Sequence, residues 1–187
     1  MTDKYHELSF TDAVRERQAH FGARHAGDPA AADPLPEDRL TAAEAQFISE
    51  RDGFYLSTVS SSGWPYVQFR GGPPGFLHVL DQSTLAYADL RGNRQYLSMG
   101  HLSEQPRAAL FFMDYAQQRR LKLMATTEVV DASTRPDLVE RLAAPDERAP
   151  VERIVQFHVV AFDWNCPQHI TPRFTAGEWE VLGPPQQ

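Results

Sequence analysis

The chain of 187 residues has a single cysteine, Cys166, and only two lysines, Lys4 and Lys122, beside sixteen arginines. One thiol excludes an intramolecular disulfide and implies no oxidising compartment. No apolar run approaches the roughly 18–20 residues that span a bilayer. Residues 1–10 mix charged and polar side chains and lack the apolar centre of a signal peptide. The expectation is a cytoplasmic protein without a membrane partner. Its formal net charge of −7 argues against a nucleic-acid partner, which would be held through basic surface. Internal repeats and heptads are missing. So are a Gly-x-Gly-x-x-Gly turn and the strand–helix alternation of a parallel dinucleotide-binding sheet.

What is there reads as one domain with an appendage: residues 1–50 as a helical N-terminal arm and linker, and residues 51–187 as the main domain. Residues 10–21 suit a short polar helix and residues 25–36 an irregular linker. Thr41 with Glu44 three residues on matches a capping box, opening a helix over 42–51 that turns Ala45, Phe47 and Ile48 inward. From Gly53 the period becomes strand-like. Residues 54–59 and 64–70 form a hairpin around Ser60-Ser61-Ser62-Gly63, stopped by Gly71-Gly72-Pro73-Pro74-Gly75. A second hairpin joins 76–80 to 84–88. A helix is predicted over 91–104, with Asn93 as its cap, and a central strand over 107–115, because residues 108–113 are apolar on both faces. A long strand over 120–131, a short helix over 135–142 and a last strand over 152–164 follow, the last with Val155, Phe157, Val159 and Ala161 on one face. The sum is mainly β with helices: about seven strands and an inserted helix, closing into a barrel that removes exposed edges.

Four segments could carry chemistry. Asp89-Leu90-Arg91-Gly92-Asn93-Arg94-Gln95 puts two guanidinium groups and a carboxamide at a strand-to-helix junction, where free N–H groups favour an anion such as phosphate. The plain alternative is a solvated helix start. Gln68 and Arg70 share one face of their strand, with Val67 and Phe69 on the other. The glycines from Gly71 onward either allow a flat ligand to approach or simply make a wide turn. Arg120 and Lys122 share a face and either meet solvent or converge on an anion. Cys166 and His169 have a C-x-x-H spacing, yet structural zinc normally takes four such ligands, so no metal site is expected. His169 is the weak candidate for a proton-transfer residue, with His158 second.

The order of these features resembles the pyridoxamine 5'-phosphate oxidase-like, FMN-binding split-barrel family over residues 50–173, and within it a subgroup of flavin-nucleotide-binding proteins. The resemblance rests on Tyr66-Val67-Gln68-Phe69-Arg70-Gly71-Gly72-Pro73-Pro74-Gly75-Phe76, Leu85-Ala86-Tyr87-Ala88-Asp89, Asn93-Arg94, residues 105–112 and Asp163-Trp164-Asn165-Cys166-Pro167-Gln168-His169-Ile170. It implies FMN as cofactor, with Gln68, Phe69, Arg70 and Gly71 along the ring and ribityl chain. It further places Ala88 and Asp89 beside the flavin, Asn93 and Arg94 on the phosphate, and Arg120 with Lys122 within reach. It also implies a homodimer with flavin sites at the interface, acting as an oxidoreductase on an unassigned small molecule with nicotinamide as a possible reductant. A deazaflavin-dependent reductase and a flavin carrier or sensor without turnover are the alternatives. The tail departs from the oxidase proper, whose C-terminal Arg/His arrangement is replaced here by residues 166–173.

Overall fold

The structure, a computed structural model, describes residues 1–23, 34–144 and 149–182, so most of the expected linker over 25–36 lies outside the described residues. In chain order the elements are helices α1 (Asp3–Ser9), α2 (Asp12–His20) and α3 (Ala42–Ser49), then strands β1 (Gly53–Val59), β2 (Pro65–Gly71), β3 (His78–Val79) and β4 (Thr84–Leu90). Helix α4 (Leu97–Glu104), strands β5 (Arg107–Asp114) and β6 (Arg119–Asp131), helix α5 (Pro136–Leu142), strand β7 (Val151–Asn165) and helix α6 (Ala176–Leu182) complete the chain. The strands make one antiparallel sheet in the order β2-β1-β5-β6-β7-β4-β3. Seven strands, the inserted helix and the N-terminal helices agree with the sequence reading. Helices α1 and α6 were not foreseen; each has only seven residues.

The sheet is strongly curled. Phe54 of β1 and Tyr87 of β4 stand four places apart in the ladder, which would be roughly 19 Å in a flat sheet, yet their ring centroids are 5.9 Å apart. Phe54 also meets Phe76, Phe112 and Phe157 at 5.6 to 6.1 Å. These rings, with Leu56, Leu110, Leu121, Leu123 and Val155, fill the inside of the curl. Alternation along each strand sends every second residue to this core. No ladder joins β2 to β3, so the barrel is split and two edges remain, contrary to the expectation that closure removes them.

Alternation also leaves an outer face. Tyr55, Val67 and Phe69 are exposed there, with Ala109 and the partly buried Phe111 and Met124 beside them. The both-sided apolar character of β5 is thus explained: Leu110 and Phe112 face the core, while Ala109 and Phe111 face outward. Gly53 and Gly71 pair directly across β1 and β2, and the Phe69 ring lies over both.

The segment before β1 is docked on β7. The ladder between β6 and β7 slips between Met124 and Ala125, leaving Val160 as the extra residue of a bulge. Its carbonyl accepts from the Asp38 amide at 3.0 Å, and the Asp38 carboxylate accepts from the Phe162 amide at 2.9 Å. Thr41 and Glu44 do form the capping box. The Glu44 carboxylate also accepts from the Trp164 indole at 2.6 Å, fixing α3 to β7. Phe47 and Ile48 go into the core as expected; Ala45 stays only half-buried.

Burial acts to raise the Glu44 pKa, but the hydrogen bonds from Thr41 and Trp164 outweigh it and hold the carboxyl below the ordinary glutamate value. A carboxyl depressed in the folded state contributes stability above the unfolded pKa, and that contribution disappears as pH falls through the folded one. Denaturant titrations of wild type and Glu44→Gln should therefore differ at neutral pH and converge as the pH is taken below about 4.3. Phe157→Ala, which empties a fully buried ring site, should cost about 3–5 kcal/mol in the same measurement.

Candidate functional site

Facing the split, the inner side of β2 presents Tyr66, Gln68 and Arg70, which pair across the ladder with the core-facing Thr58, Leu56 and Phe54. On the far side of the split, β4 presents Asp89 on the same side as Tyr87. Asp89 is 6% exposed. Its carboxylate meets the Arg70 guanidinium at 3.5 Å and that of Arg153 at 2.9 Å. Arg70 lies on the edge strand β2 and Asp89 on β4, next to the other edge strand, so this ion chain bridges the seam.

Between β4 and α4 the chain does not enter a helix at residue 91 as the sequence suggested. The Asn93 side chain accepts a hydrogen bond from the Gln95 amide at 3.1 Å. That closes an Asx-type turn instead of capping a helix. Arg94 and Tyr96 then take left-handed backbone conformations, with φ of 60° and 53°, and α4 starts only at Leu97. Arg94 is therefore not in the first turn of a helix; it stands on a turn that lines the cleft.

A cleft of about 220 Å³ lies between these parts, lined by Gln68, Arg70, Asp89, Asn93, Arg94 and Arg153 together with Tyr66, Tyr96 and Ser98. The buried Ser98 hydroxyl donates to Gln68 at 3.5 Å, tying α4 to β2. Glu152 sits beside Arg153 where the β4–β7 ladder slips: Asp89 pairs with Arg153 and Leu90 with Val151, leaving Glu152 as the bulged residue. Its carboxylate accepts from Arg91 at 2.8 Å, from Arg153 at 2.9 Å and from the Tyr96 hydroxyl at 3.2 Å. The bonds from Arg91 and Tyr96 hold the Glu152 pKa below the usual glutamate value. Tyr96 and the Glu152 charge raise the pKa of the exposed Arg94 above the ordinary arginine value. Arg153 also stacks over the Tyr96 ring at 4.7 Å.

Three guanidinium groups, Arg70, Arg94 and Arg153, and one carboxylate, Asp89, line the cleft, while Arg91 pairs with Glu152 beside it. The excess is two positive charges, and the Arg70 Nε makes no hydrogen bond despite being buried. A second hollow, of about 300 Å³, shares the Arg70–Asp89 wall and is otherwise lined largely by Phe69, Gly71, Phe76, Ala88 and Leu142. Chemically the pair offers a cationic end for an anion and an adjoining apolar space for a flat group.

Eight of the ten residues singled out for cofactor binding thus fall on the two adjacent hollows: Gln68, Arg70, Asp89, Asn93 and Arg94 in the cleft, Phe69, Gly71 and Ala88 in its neighbour. Arg120 and Lys122 do not join them within this chain. They lie on the outer face opposite Met113 and Phe111. Lys122 binds Asp163 at 2.8 Å and covers the Tyr5 ring. Burial works against the charge on Lys122, but Asp163 and Tyr5 outweigh it and raise the pKa. His169 is exposed in a turn with φ of 67°, and His158 is exposed opposite Thr126, 3.7 Å from the Glu128 carboxylate. Neither lines the cleft. Among the described residues no three His, Cys, Asp or Glu side chains gather as metal ligands, and no helix is long and apolar enough to cross a membrane. Sequence reasoning missed Tyr96, Ser98, Glu152 and Arg153. Tyr96 was within reach of it, two residues after Arg94, but the bulge that brings Glu152 and Arg153 to the site leaves no local mark.

Comparisons with known proteins follow this geometry. The family model for pyridoxamine 5'-phosphate oxidase matches residues 40–163. Among solved structures, a candidate pyridoxamine 5'-phosphate oxidase of Lactobacillus delbrueckii is 20% identical. It covers 69% of this chain and 99% of its own, with a TM-score of 0.52. HupZ of Group A Streptococcus is 12% identical and covers 72% of this chain and all of its own, with a TM-score of 0.51. At such identities these two are alike in fold. No curated protein matches in sequence. The match over 40–163 spans the split barrel and every residue of the cleft, and by it the chain belongs to the pyridoxamine 5'-phosphate oxidase family.

Proposed function

We propose that this chain is a cytoplasmic FMN-binding flavoprotein of the oxidoreductase type, working as a homodimer on a small-molecule substrate not yet assigned. The observation that carries the reading is the excess of two positive charges around a cleft that shares its Arg70–Asp89 wall with a hollow lined largely by apolar side chains. A phosphate monoester carries about −1.5 to −2 charge at pH 7, so charge and shape fit a ligand with a phosphate at one end and a flat ring at the other. Arg94 and Asn93 would hold the phosphate; Gln68 and Arg70 would lie along the ribityl chain and ring, with Gly71 and Ala88 leaving room for it. When bound, the flavin supplies hydride transfer. The protein's share is to fix it, to keep water from the apolar hollow and to hold positive charge at Arg70 Nε, where a buried donor is left for an acceptor.

The exposed apolar outer face around Tyr55, Val67 and Phe111 suits a second copy of the chain. That would put Arg120 and Lys122 at the interface, near the partner's flavin as the family resemblance implies. A flavin carrier without turnover is the second reading, since it would use the same cationic grip; among the described residues no histidine or cysteine lines the cleft. A deazaflavin reductase would need the same cationic grip.

Purified protein should be yellow with a flavin spectrum, and anaerobic NAD(P)H should bleach it if there is turnover. Arg94→Ala should weaken FMN by roughly 10- to 100-fold, as expected for a lost charge-assisted hydrogen bond, while riboflavin, lacking phosphate, binds both proteins alike. Fluorescence-quenching titrations of the two ligands against the two proteins measure this. Equal FMN affinities would place the phosphate elsewhere, with Arg120 and Lys122 next to be tested.

A further inference from the structure

Glu152 stands out because its charge is wrong for its place. A carboxylate beside an anion-binding cleft should oppose the anion, yet Glu152 is brought there by an irregularity of the ladder. Regular alternation along β7 would send Glu152 and Arg153 to opposite faces. The bulge at Glu152 lets both reach toward the cleft side, Arg153 to Asp89 and Glu152 to Arg91 and Tyr96. Bulges re-aim side chains in this way.

The contacts of Glu152 are all with groups of the cationic cluster or their support. Arg91 and Arg153 donate to it directly. Tyr96 donates its hydroxyl to Glu152 and lines the cleft beside Arg94, which stands two residues before it in the chain. Arg91 to Tyr96 is also the strained stretch, where two residues other than glycine hold left-handed backbone conformations. Such conformations persist only where the surroundings over-determine them, and the contact from Tyr96 to Glu152 reaches across 56 residues to supply that restraint.

We propose that Glu152 is a positioning residue that holds the 91–96 turn in its anion-cradling shape, directing Arg94 through Tyr96 and Arg91 and Arg153 directly. This rests on the reading of the cleft as a phosphate site. The net effect of Glu152 on a bound phosphate is then favourable, although its own charge repels one. A merely electrostatic role predicts the reverse sign.

The test compares Glu152→Ala and Tyr96→Phe with wild type by two readouts on the full-length protein. Titrated with FMN, both variants should bind about tenfold more weakly, with riboflavin affinity unchanged. The double variant should lose little more than either single one, because both cut the same connection. Site-resolved limited proteolysis of flavin-free protein with trypsin should show faster cleavage after Arg91 and Arg94 in both variants. Should Glu152→Ala fail to fold, Glu152→Gln, which removes the charge but keeps an acceptor, should bind FMN within a few-fold of wild type while Tyr96→Phe still shows both effects. Unchanged or tighter FMN binding by Glu152→Ala would overturn the proposal, and so would unchanged cleavage. If wild type binds no FMN at all, the flavin reading fails and the cleavage pattern alone decides whether Glu152 holds the turn.

Discussion

The contact on which the rest of the molecule turns is the ion chain from Arg70 through Asp89 to Arg153. It joins β2 to β4 and β7 across a seam that no ladder closes. Taking a carboxylate out of water costs several kcal/mol unless partners repay it, and Asp89 is almost wholly buried with two guanidinium groups on it. The seam is therefore held in one arrangement rather than left to breathe. The same side chains make the wall between the cationic cleft and the apolar hollow. The contact that bridges the split is thus also a wall of the candidate site.

β7 carries this arrangement. It pairs with β6 along its length and with β4 over its first half, and it slips register once against each. The slip near its start delivers Glu152 and Arg153 to the cleft. The slip at Val160 frees a carbonyl for Asp38 and so docks the segment that leads into α3. Two single-residue irregularities in one strand thus set both the polar side of the site and the attachment of the N-terminal region.

Much of this could be read before any coordinates. The two-residue period of β7 gave its buried face, Val155, Phe157, Val159 and Ala161, because burial on one side of a strand imposes alternation on the sequence. Thr41 and Glu44 marked α3, since a capping box is a local hydrogen-bond pattern. Gln68, Arg70, Asp89, Asn93 and Arg94 were picked out by residue type at strand ends, and they do come together. What escaped was non-local. Nothing near Glu152 signals a bulge, because the slip is defined against β4, more than 60 residues earlier. The start of α4 was misjudged because Asn93 suits both a helix cap and an Asx turn, and the choice is made by Tyr96 finding Glu152. Helix α1 is held by burial of Tyr5 and by Thr2 bonding to Phe162, not by any strong helical pattern of its own. Arg120 and Lys122 share a face as expected, but within one chain that face looks away from the cleft.

The pairing of Gly53 with Gly71 under the Phe69 ring has a consequence for how this chain can vary. A Cβ on Gly71 would stand 2.7 Å from the ring, and one on Gly53 would stand closer still. Either substitution would have to turn the ring away, yet the ring also packs edge-on against Tyr55 at 5.5 Å and borders the apolar hollow. Positions 53, 69 and 71 thus behave as a single heritable unit. A side chain gained at Gly53, at the start of β1, would press first on Phe69, sixteen residues along the chain. Change at Gly53 is thereby constrained by the shape of the hollow; without the ring a Cβ on Gly71 would meet little, while one on Gly53 would still stand 3.1 Å from the Arg70 carbonyl oxygen.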